Sequence, residues 1–228
     1  MSSTTENKGN KGPIYWKGQE PPKEGVLFED PEFPPTPNSL LGKDKNGNIV
    51  DSKAYNEKAK NINTNEIGFF RPKEIFGENY SLFSKKIEMD DVQQGSLGDC
   101  YFLSSVANIC KFPNSVQRLF KQSTKNEYGY YEIFLFIDGK RQIVIVDDYL
   151  PAFKKNKKPC YAQTKEKEIW VMLLEKAWAK VNGGYANIIS GIPCEALEVL
   201  TGTGSLVYDL KNLDGEDVED YKYEIVKK

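Results

Sequence analysis

A run of apolar side chains with helical spacing lies between residues 170 and 181. The positions that recur at i, i+3, i+4, i+7, i+8 and i+11 are Trp170, Leu173, Leu174, Ala177, Trp178 and Val181. This spacing predicts a helix with one broad buried face, which Gly183-Gly184 ends. Glu175 and Lys176 fall outside that face, and we expect them to form a solvated surface. A helix this apolar requires other elements to pack against it, so the chain must form a folded core.

Two further helices follow from similar patterns. Residues Leu103, Val106, Ala107 and Cys110 are spaced as one buried stripe of a helix that begins at Cys100. Asp99 precedes it at the position of an N-terminal cap. Pro193 is suited to the first turn of a last helix, which ends before Gly202.

Between these helices the pattern is that of a β-hairpin. Residues 130–137 and 142–146 are rich in aromatic and β-branched side chains, and Asp138-Gly139 between them is a type I′ turn signal. Asp147-Asp148 follows the second strand, where we expect it to cap the strand end and the turn. Helices and an antiparallel hairpin in separate runs predict an α+β domain.

Composition limits the classes of function. The 228 residues include 31 basic and 33 acidic side chains, a net charge of −2, so no basic surface for nucleic acid is indicated. No apolar run approaches 18 residues, which argues against a transmembrane helix. The four cysteines show no paired spacing, as is typical of reduced thiols in a cytoplasmic protein. Residues 1–25 are polar and are expected to be a disordered tail.

The chemistry points to Cys100. A thiol attacks as its thiolate, and the free N–H groups at a helix start stabilise that anion. The glycines in Gln94-Gly-Ser-Leu-Gly-Asp-Cys100 allow tight turns and close approach of a substrate. The amide of Gln94, with the backbone N–H of Cys100, is suited to bind the oxyanion of an acyl-transfer intermediate. A buried structural cysteine after a glycine-rich turn is the alternative, and the complete run at a helix start favours the nucleophile.

These residues resemble a known family. The run from Gln94 to Leu103 is similar to the nucleophile motif of the calpain family of cysteine proteases. The matching segments elsewhere are Phe28-Glu-Asp-Pro-Glu-Phe-Pro34, Arg71-Pro72, Val146-Asp-Asp-Tyr-Leu-Pro151 and Leu173-Leu-Glu-Lys-Ala-Trp-Ala-Lys-Val-Asn-Gly183. The resemblance covers residues 26–210 in order.

The resemblance implies a calcium-dependent cytoplasmic cysteine endopeptidase with polypeptide substrates and a papain-like core of two subdomains. Residues 26–210 would form the first subdomain, which is helical, has a central cysteine-bearing helix and carries a small antiparallel sheet. Residues 211–228 would be a linker and the start of a truncated second subdomain. Cys100 would be the nucleophile, and Gln94 would stabilise the oxyanion.

The chain contains no histidine. A papain-type site needs an imidazole to take the thiol proton and to protonate the leaving amine. By itself the chain is therefore expected to be inactive as a protease. It is a fragment of a longer protease, a natural half-protease that serves as a regulatory or interaction module, or a partner for a second subdomain supplied in trans.

The resemblance also implies a calcium site. The matching carboxylates are Asp91 and Glu168, and backbone carbonyls near Ser84 and Lys86 would add oxygen ligands of the kind that calcium prefers. From spacing alone, either carboxylate is an ordinary surface charge.

Overall fold

Five helices and four strands make up the part of the chain that a computed structural model describes, which is residues 22–42, 46, 48, 64–83 and 86–205. The helices are α1 (Pro37–Leu41), α2 (Pro72–Phe76), α3 (Cys100–Ile109), α4 (Trp170–Val181) and α5 (Pro193–Thr201). The strands are β1 (Ile67–Phe70), β2 (Tyr130–Ile137), β3 (Lys140–Asp147) and β4 (Leu150–Phe153). Short 3-10 helices occupy Thr64–Glu66, Met89–Asp91, Gln117–Leu119 and Tyr185–Ile188.

The predicted hairpin is confirmed. Strands β2 and β3 pair antiparallel from Tyr130 opposite Asp147 to Ile137 opposite Lys140. At the turn, Asp138 and Gly139 have φ angles of 51° and 71°, the positive pair that a type I′ turn requires. A second antiparallel pair, β1 with β4, joins residues far apart in the chain. Mixed helices and small antiparallel sheets agree with the expected α+β class.

Helix α4 is the centre of the core and is buried on every side. All ten side chains from Trp170 to Ala179 are buried. The prediction of a solvated face was wrong, because Glu175 and Lys176 are 1% and 0% exposed. Val171, Met172 and Ala179 place apolar side chains outside the predicted face as well, so the helix packs against the core on every side.

The buried lysines of α4 are paired. Lys176 forms a fully buried salt bridge with Asp147 and donates to the carbonyl of Tyr149 at 2.7 Å. Lys180, one turn later, donates to Asp30 at 2.6 Å and to the carbonyl of Ile145 at 2.7 Å. These contacts attach the end of the hairpin and an N-terminal segment to one helix.

The acidic pair after β3 does more than cap a turn. Asp147 accepts the N–H of Tyr149 at 2.8 Å, as a capping residue would, but it also pairs with Lys176 and accepts the N–H of Asp30 at 2.7 Å. Asp148 forms a salt bridge with Arg71. The prediction of simple capping was therefore incomplete, because both carboxylates are buried and each needs a cation.

The other predicted helices are confirmed. Helix α3 begins at Cys100, with Asp99 at the capping position, and Cys110 is half-buried against the core. Helix α5 begins at Pro193 and ends before Gly202, whose φ of 74° closes the helix. Most of the tail at residues 1–25, and all of residues 211–228, lie outside the described residues. None of the helices described is long and apolar enough to cross a membrane.

Replacing Lys176 by methionine tests whether these pairs hold the fold. The variant leaves Asp147 buried without its cation, so we expect the free energy of unfolding to fall by about 3–5 kcal/mol in urea denaturation. The control Lys73→Met breaks the exposed pair with Glu78 and is expected to change it by about 1 kcal/mol at most. Adding Asp147→Asn to Lys176→Met should recover part of the loss. Equal effects of the two single variants would contradict the role assigned to Lys176.

Candidate active site

Cys100 is the first residue of α3, and it is exposed. The first turn of a helix has N–H groups without acceptors inside the helix, and they point towards its N-terminal end. The thiol therefore lies at the positive end of the helix dipole, where an anion is stabilised. The loop that precedes it decides how the thiol is presented.

One side of that loop is held by residues 160–163. Ser96 donates its N–H to the carbonyl of Cys160 at 2.8 Å, and Gln93 and Gln163 exchange two backbone hydrogen bonds of 2.9 and 3.0 Å. Gly95 is required by this close packing, because a Cβ there would lie 2.2 Å from the carbonyl oxygen of Tyr161. The loop thus runs against a second backbone without space for a side chain.

The other side is held by the turn before α5. The N–H of Ser190 donates to the carbonyl of Gly98 at 2.9 Å. Tyr101, directly after the cysteine, is buried, and its hydroxyl accepts the indole N–H of Trp178 at 2.9 Å. A Cβ on Gly191 would lie 2.4 Å from the Tyr101 ring, so this turn also packs closely. The start of α3 is therefore braced from two directions.

Gln94 lies in the same loop with its side chain exposed. Its amide donates one hydrogen bond to the carbonyl of Leu97 at 2.8 Å. A glutamine amide has two N–H groups, so a second hydrogen remains for an oxyanion. Gln94 and Cys100 belong to one short braced loop, as the motif requires.

The other cysteines have different surroundings. Burial raises the pKa of Cys110 to about 11 and raises the pKa of Cys160 even further. Cys110 donates its thiol to the carbonyl of Val106 at 3.2 Å, and Cys160 lies in the core. Cys194, in the first turn of α5, is half-buried. Cys100 is the one exposed cysteine of the four, all of which are free thiols in the described part of the chain.

The predicted calcium ligands are in unlike settings. Glu168 is buried, with one carboxylate oxygen accepting the indole N–H of Trp170 at 2.9 Å and the other without a hydrogen-bond partner among the described residues. Asp91 is half-buried and accepts the N–H of Glu88 at 2.7 Å. Ser84 lies outside the described residues, and Lys86 pairs with Glu88. An orphaned buried carboxylate oxygen fits a cation.

The two carboxylates belong to neighbouring backbone segments. The N–H of Ser81 donates to the carbonyl of Lys167 at 3.0 Å, and the carbonyl of Ser81 accepts the N–H of Ile169 at 3.1 Å. These two hydrogen bonds hold Ser81 beside Glu168. Gln93, two residues after Asp91, is paired with Gln163. Within the described residues, no group of three or more His, Cys, Asp or Glu side chains is arranged to hold a metal. A cation here would thus depend on these two carboxylates, backbone carbonyls and water.

Sequence reasoning missed one feature of the site. Asp99 does not cap α3 with its side chain but is fully buried, and Glu175 of α4 is buried beside it. Burial raises the pKa of Asp99 to about 6 and raises the pKa of Glu175 well above its usual value. The available signal was that Val171, Met172 and Ala179 place apolar side chains outside the predicted face of α4, so that Glu175 lies among residues that pack in a core.

Known proteins are similar to this chain in sequence. The sequence profile described as the calpain family cysteine protease matches residues 28–227. The chain belongs to the calpain family. Similar relatives include Calpain-A of Drosophila melanogaster, 37% identical over 195 residues that cover 84% of this chain and 21% of that protein.

Two further relatives have similar sequence identity to this chain. The Calpain-1 catalytic subunit of Macaca fascicularis is 35% identical over 83% of this chain and 25% of its own length. Calpain-B of Drosophila melanogaster is 32% identical over 92% of this chain and 21% of its own length. The chain thus spans about a quarter or less of these calpains. As a calpain-family cysteine protease domain, it belongs to a family of hydrolases.

Alkylation tests the presentation of Cys100. With iodoacetamide at pH 7.5, Cys100 should react at least about ten-fold faster than Cys110 and Cys160, because a raised pKa leaves little thiolate. Cys194 is the internal control, since it also lies in the first turn of a helix but is half-buried, and its rate should be intermediate. The rates are read by mass spectrometry of the labelled peptides. Labelling of Cys100 no faster than that of Cys110 would remove the argument from the helix end.

Proposed function

We propose that this calpain-family domain is the cysteine-bearing half of a papain-like, calcium-dependent endopeptidase, with Cys100 as nucleophile and Gln94 as oxyanion donor. The observation that carries the proposal is an exposed thiol at the first residue of α3, in a loop that backbone hydrogen bonds brace from two sides. Cys160, which is buried, has no such access.

The geometry supports acyl transfer. The Cys100 thiolate would attack the carbonyl carbon of a peptide bond, forming an S–C bond and placing the negative charge on the carbonyl oxygen. The backbone N–H of Cys100 and the Gln94 amide would stabilise that oxygen. The C–N bond then breaks and the amine leaves with a proton, after which water hydrolyses the thioester and regenerates the thiol.

An imidazole has to come from outside these 228 residues, because they contain no histidine. We propose that it belongs to a second subdomain, in cis or in trans, and that residues 26–210 form the first subdomain while 211–228 lead towards the second. Residues 1–25 would be a polar tail. The polypeptide substrate would bind between the two subdomains. The four free thiols are consistent with a reducing compartment, and we propose a cytoplasmic location.

The second candidate is a non-catalytic calpain-like module that regulates or binds other proteins. The absence of histidine from the 228 residues favours it, because the cysteine would have no base within this chain. The coding sequence after Lys228 discriminates between the two. An in-frame continuation with Gly-His and Asn-Pro-Trp motifs supports the protease, and a stop codon supports the module.

Proteolytic activity is tested on the 228-residue chain and on the longest protein that its gene encodes in the same reading frame. With casein and calcium, the 228-residue chain should hydrolyse no more than its Cys100→Ala variant, since loss of one member of a catalytic unit costs orders of magnitude in rate. The longer product should be active, and Cys100→Ala should abolish that activity. Cys194→Ala is the matched control and should leave it unchanged. Activity that survives Cys100→Ala would assign the nucleophile elsewhere.

Glu168 and Asp91 are proposed to hold the calcium ion. The orphaned oxygen of Glu168 is the observation that fits a cation, and calcium accepts carboxylate, carbonyl and water oxygens at once. The ion would supply positive charge that stabilises the segments at residues 81–83 and 86–93. Apart from this, Glu168 already orients Trp170 at the start of α4 through its indole N–H.

Calcium binding is measured by isothermal titration of the 228-residue chain. We expect one weak site, which Asp91→Ala removes and which Glu168→Gln weakens at least about ten-fold, since each removes a charged ligand. Glu168→Gln keeps an oxygen for Trp170, so it should preserve the fold, and thermal unfolding without calcium checks this. The control Glu78→Gln changes an exposed carboxylate and should bind as the unaltered chain does. Unchanged binding in Asp91→Ala would contradict the assignment.

A further inference from the structure

Two buried carboxyl groups lie beneath the start of the cysteine-bearing helix, and neither takes part in the chemistry proposed above. Asp99, the residue before Cys100, is 0% exposed, and Glu175 of α4 is 1% exposed. A buried carboxylate normally needs a cation or several hydrogen-bond donors. Among the described residues, neither of these two has a basic side chain within salt-bridge distance.

No N–H or O–H group of another described residue donates to the carboxylate of Asp99. Its backbone carbonyl accepts the N–H groups of Phe102 and Leu103 at 2.9 and 3.2 Å, which starts α3, but its side chain turns inward. Both carboxylate oxygens are buried without a protein donor. The side chain within hydrogen-bonding reach is the carboxyl group of Glu175, and such a bond requires a proton on one of the two.

Glu175 also contacts the backbone segment that supports the loop before Cys100. Its other contact is with the N–H of Ala162, which it accepts at 3.0 Å. Ala162 belongs to residues 160–163, the segment whose carbonyls hold Ser96 and Gln93. Glu175 therefore links the core helix both to the residue before the cysteine and to the backbone that supports the loop.

Both carboxyl groups have a pKa above its usual value. Burial raises the pKa of Asp99 and of Glu175, and the charge of Asp99 raises the pKa of Glu175 further, so the two groups favour holding a proton between them. The other ionisable groups that face the pair are Cys160, on the segment packed against Glu175, and Tyr101 and Cys100, on α3. None of these three is a cation. Lys176, the next residue along α4, is turned to Asp147.

We propose that Asp99 and Glu175 share one proton, and that this carboxyl pair positions residues 93–99 and thereby Cys100. Asp99 and Glu175 are positioning residues, since they act through the loop and do not contact a substrate. The inference deepens the proposed function, because it rests on Cys100 as the reactive group. An O–H···O hydrogen bond between the two carboxyl groups joins α4 to the start of α3, and the N–H of Ala162, which Glu175 accepts, joins α4 to the 160–163 segment.

The shared proton makes the loop sensitive to pH in one direction. When it is lost, two buried negative charges repel each other beside Cys100, and the loop can leave its position against residues 160–163. A carboxyl group with a raised pKa in the folded state stabilises the fold at low pH, and this contribution declines as the pH rises towards that pKa. The hydrogen bonds that hold the loop should therefore weaken as the pH rises through the raised pKa of the pair.

Hydrogen exchange of the loop amides provides the first test. In the 228-residue chain, the protection of the Gln93, Ser96 and Ala162 amides, corrected for the intrinsic rate, should fall about ten-fold or more between pH 6 and pH 9. E175Q replaces the O–H donor by an N–H donor and keeps an oxygen for Ala162, so its protection should stay constant over this range. D99N should behave likewise. The control Glu195→Gln, at an exposed carboxylate near Tyr101, should keep the unaltered profile.

Alkylation links the pair to Cys100, with Cys194 as internal reference. In E175A, the net charge of the pair is unchanged, but Asp99 loses the O–H···O hydrogen bond that holds the loop before Cys100. The thiolate then loses its fixed place at the helix end, which should lower the Cys100/Cys194 rate ratio at pH 7.5 about five-fold. In E175Q the ratio should stay within about two-fold of the unaltered chain. If E175A does not fold, the E175Q and D99N exchange profiles decide the question.

The outcomes separate this inference from the proposed function. An E175Q profile as steep as that of the unaltered chain would overturn the shared proton. An unchanged Cys100/Cys194 ratio in a folded E175A would overturn the positioning of Cys100. Slow alkylation of Cys100 in the unaltered chain would instead count against its proposed role as nucleophile, and the exchange profiles do not depend on that result.

Discussion

The salt bridge between Lys176 and Asp147, deep in the domain, is the contact on which the rest of the structure depends. Asp147 ends the hairpin, accepts the backbone N–H of Asp30, and faces a lysine of the central helix. One turn later Lys180 binds Asp30 and the hairpin backbone. Charges buried to this extent are tolerated only when they are paired and hydrogen-bonded. The pairs therefore specify how a segment near residue 30, the hairpin and α4 are arranged.

The same helix serves the candidate active site. Glu175, next to Lys176, extends to Asp99 and Ala162 on the cysteine side. Adjacent positions on a helix are about 100° apart around its axis, so a basic and an acidic side chain can serve different partners from one turn. Trp178 adds a third connection, stacking on Phe102 with a centroid distance of 5.6 Å and donating to Tyr101. Helix α4 is thus a buried element that contacts the hairpin and the segment near residue 30 through its lysines, and the loop before Cys100 through Glu175 and Trp178.

Regular elements were largely predictable because their signals are local. The period of apolar residues in α3 and α4, the turn at Asp138-Gly139 and the glycine after α5 each depend on a few neighbours in the sequence. The pairing of β1 with β4 was not predicted, because its strands are separated by about eighty residues and each has only four. Around the cysteine, the motif predicted the helix start and the glycine-rich loop, but not what holds that loop.

By itself, the sequence determined the α+β class, the helix that begins at Cys100, the family resemblance and the absence of histidine from this chain. These are properties of local patterns and of composition. Only the tertiary structure decided the environment of the charged residues on α4. The depth at which a charged side chain is buried depends on every element packed around it. The residue type alone does not show whether that side chain lies on the surface or in the core. For this reason Glu175 and Lys176 were predicted to be solvated, whereas the structure shows that both are buried and contact neighbouring segments.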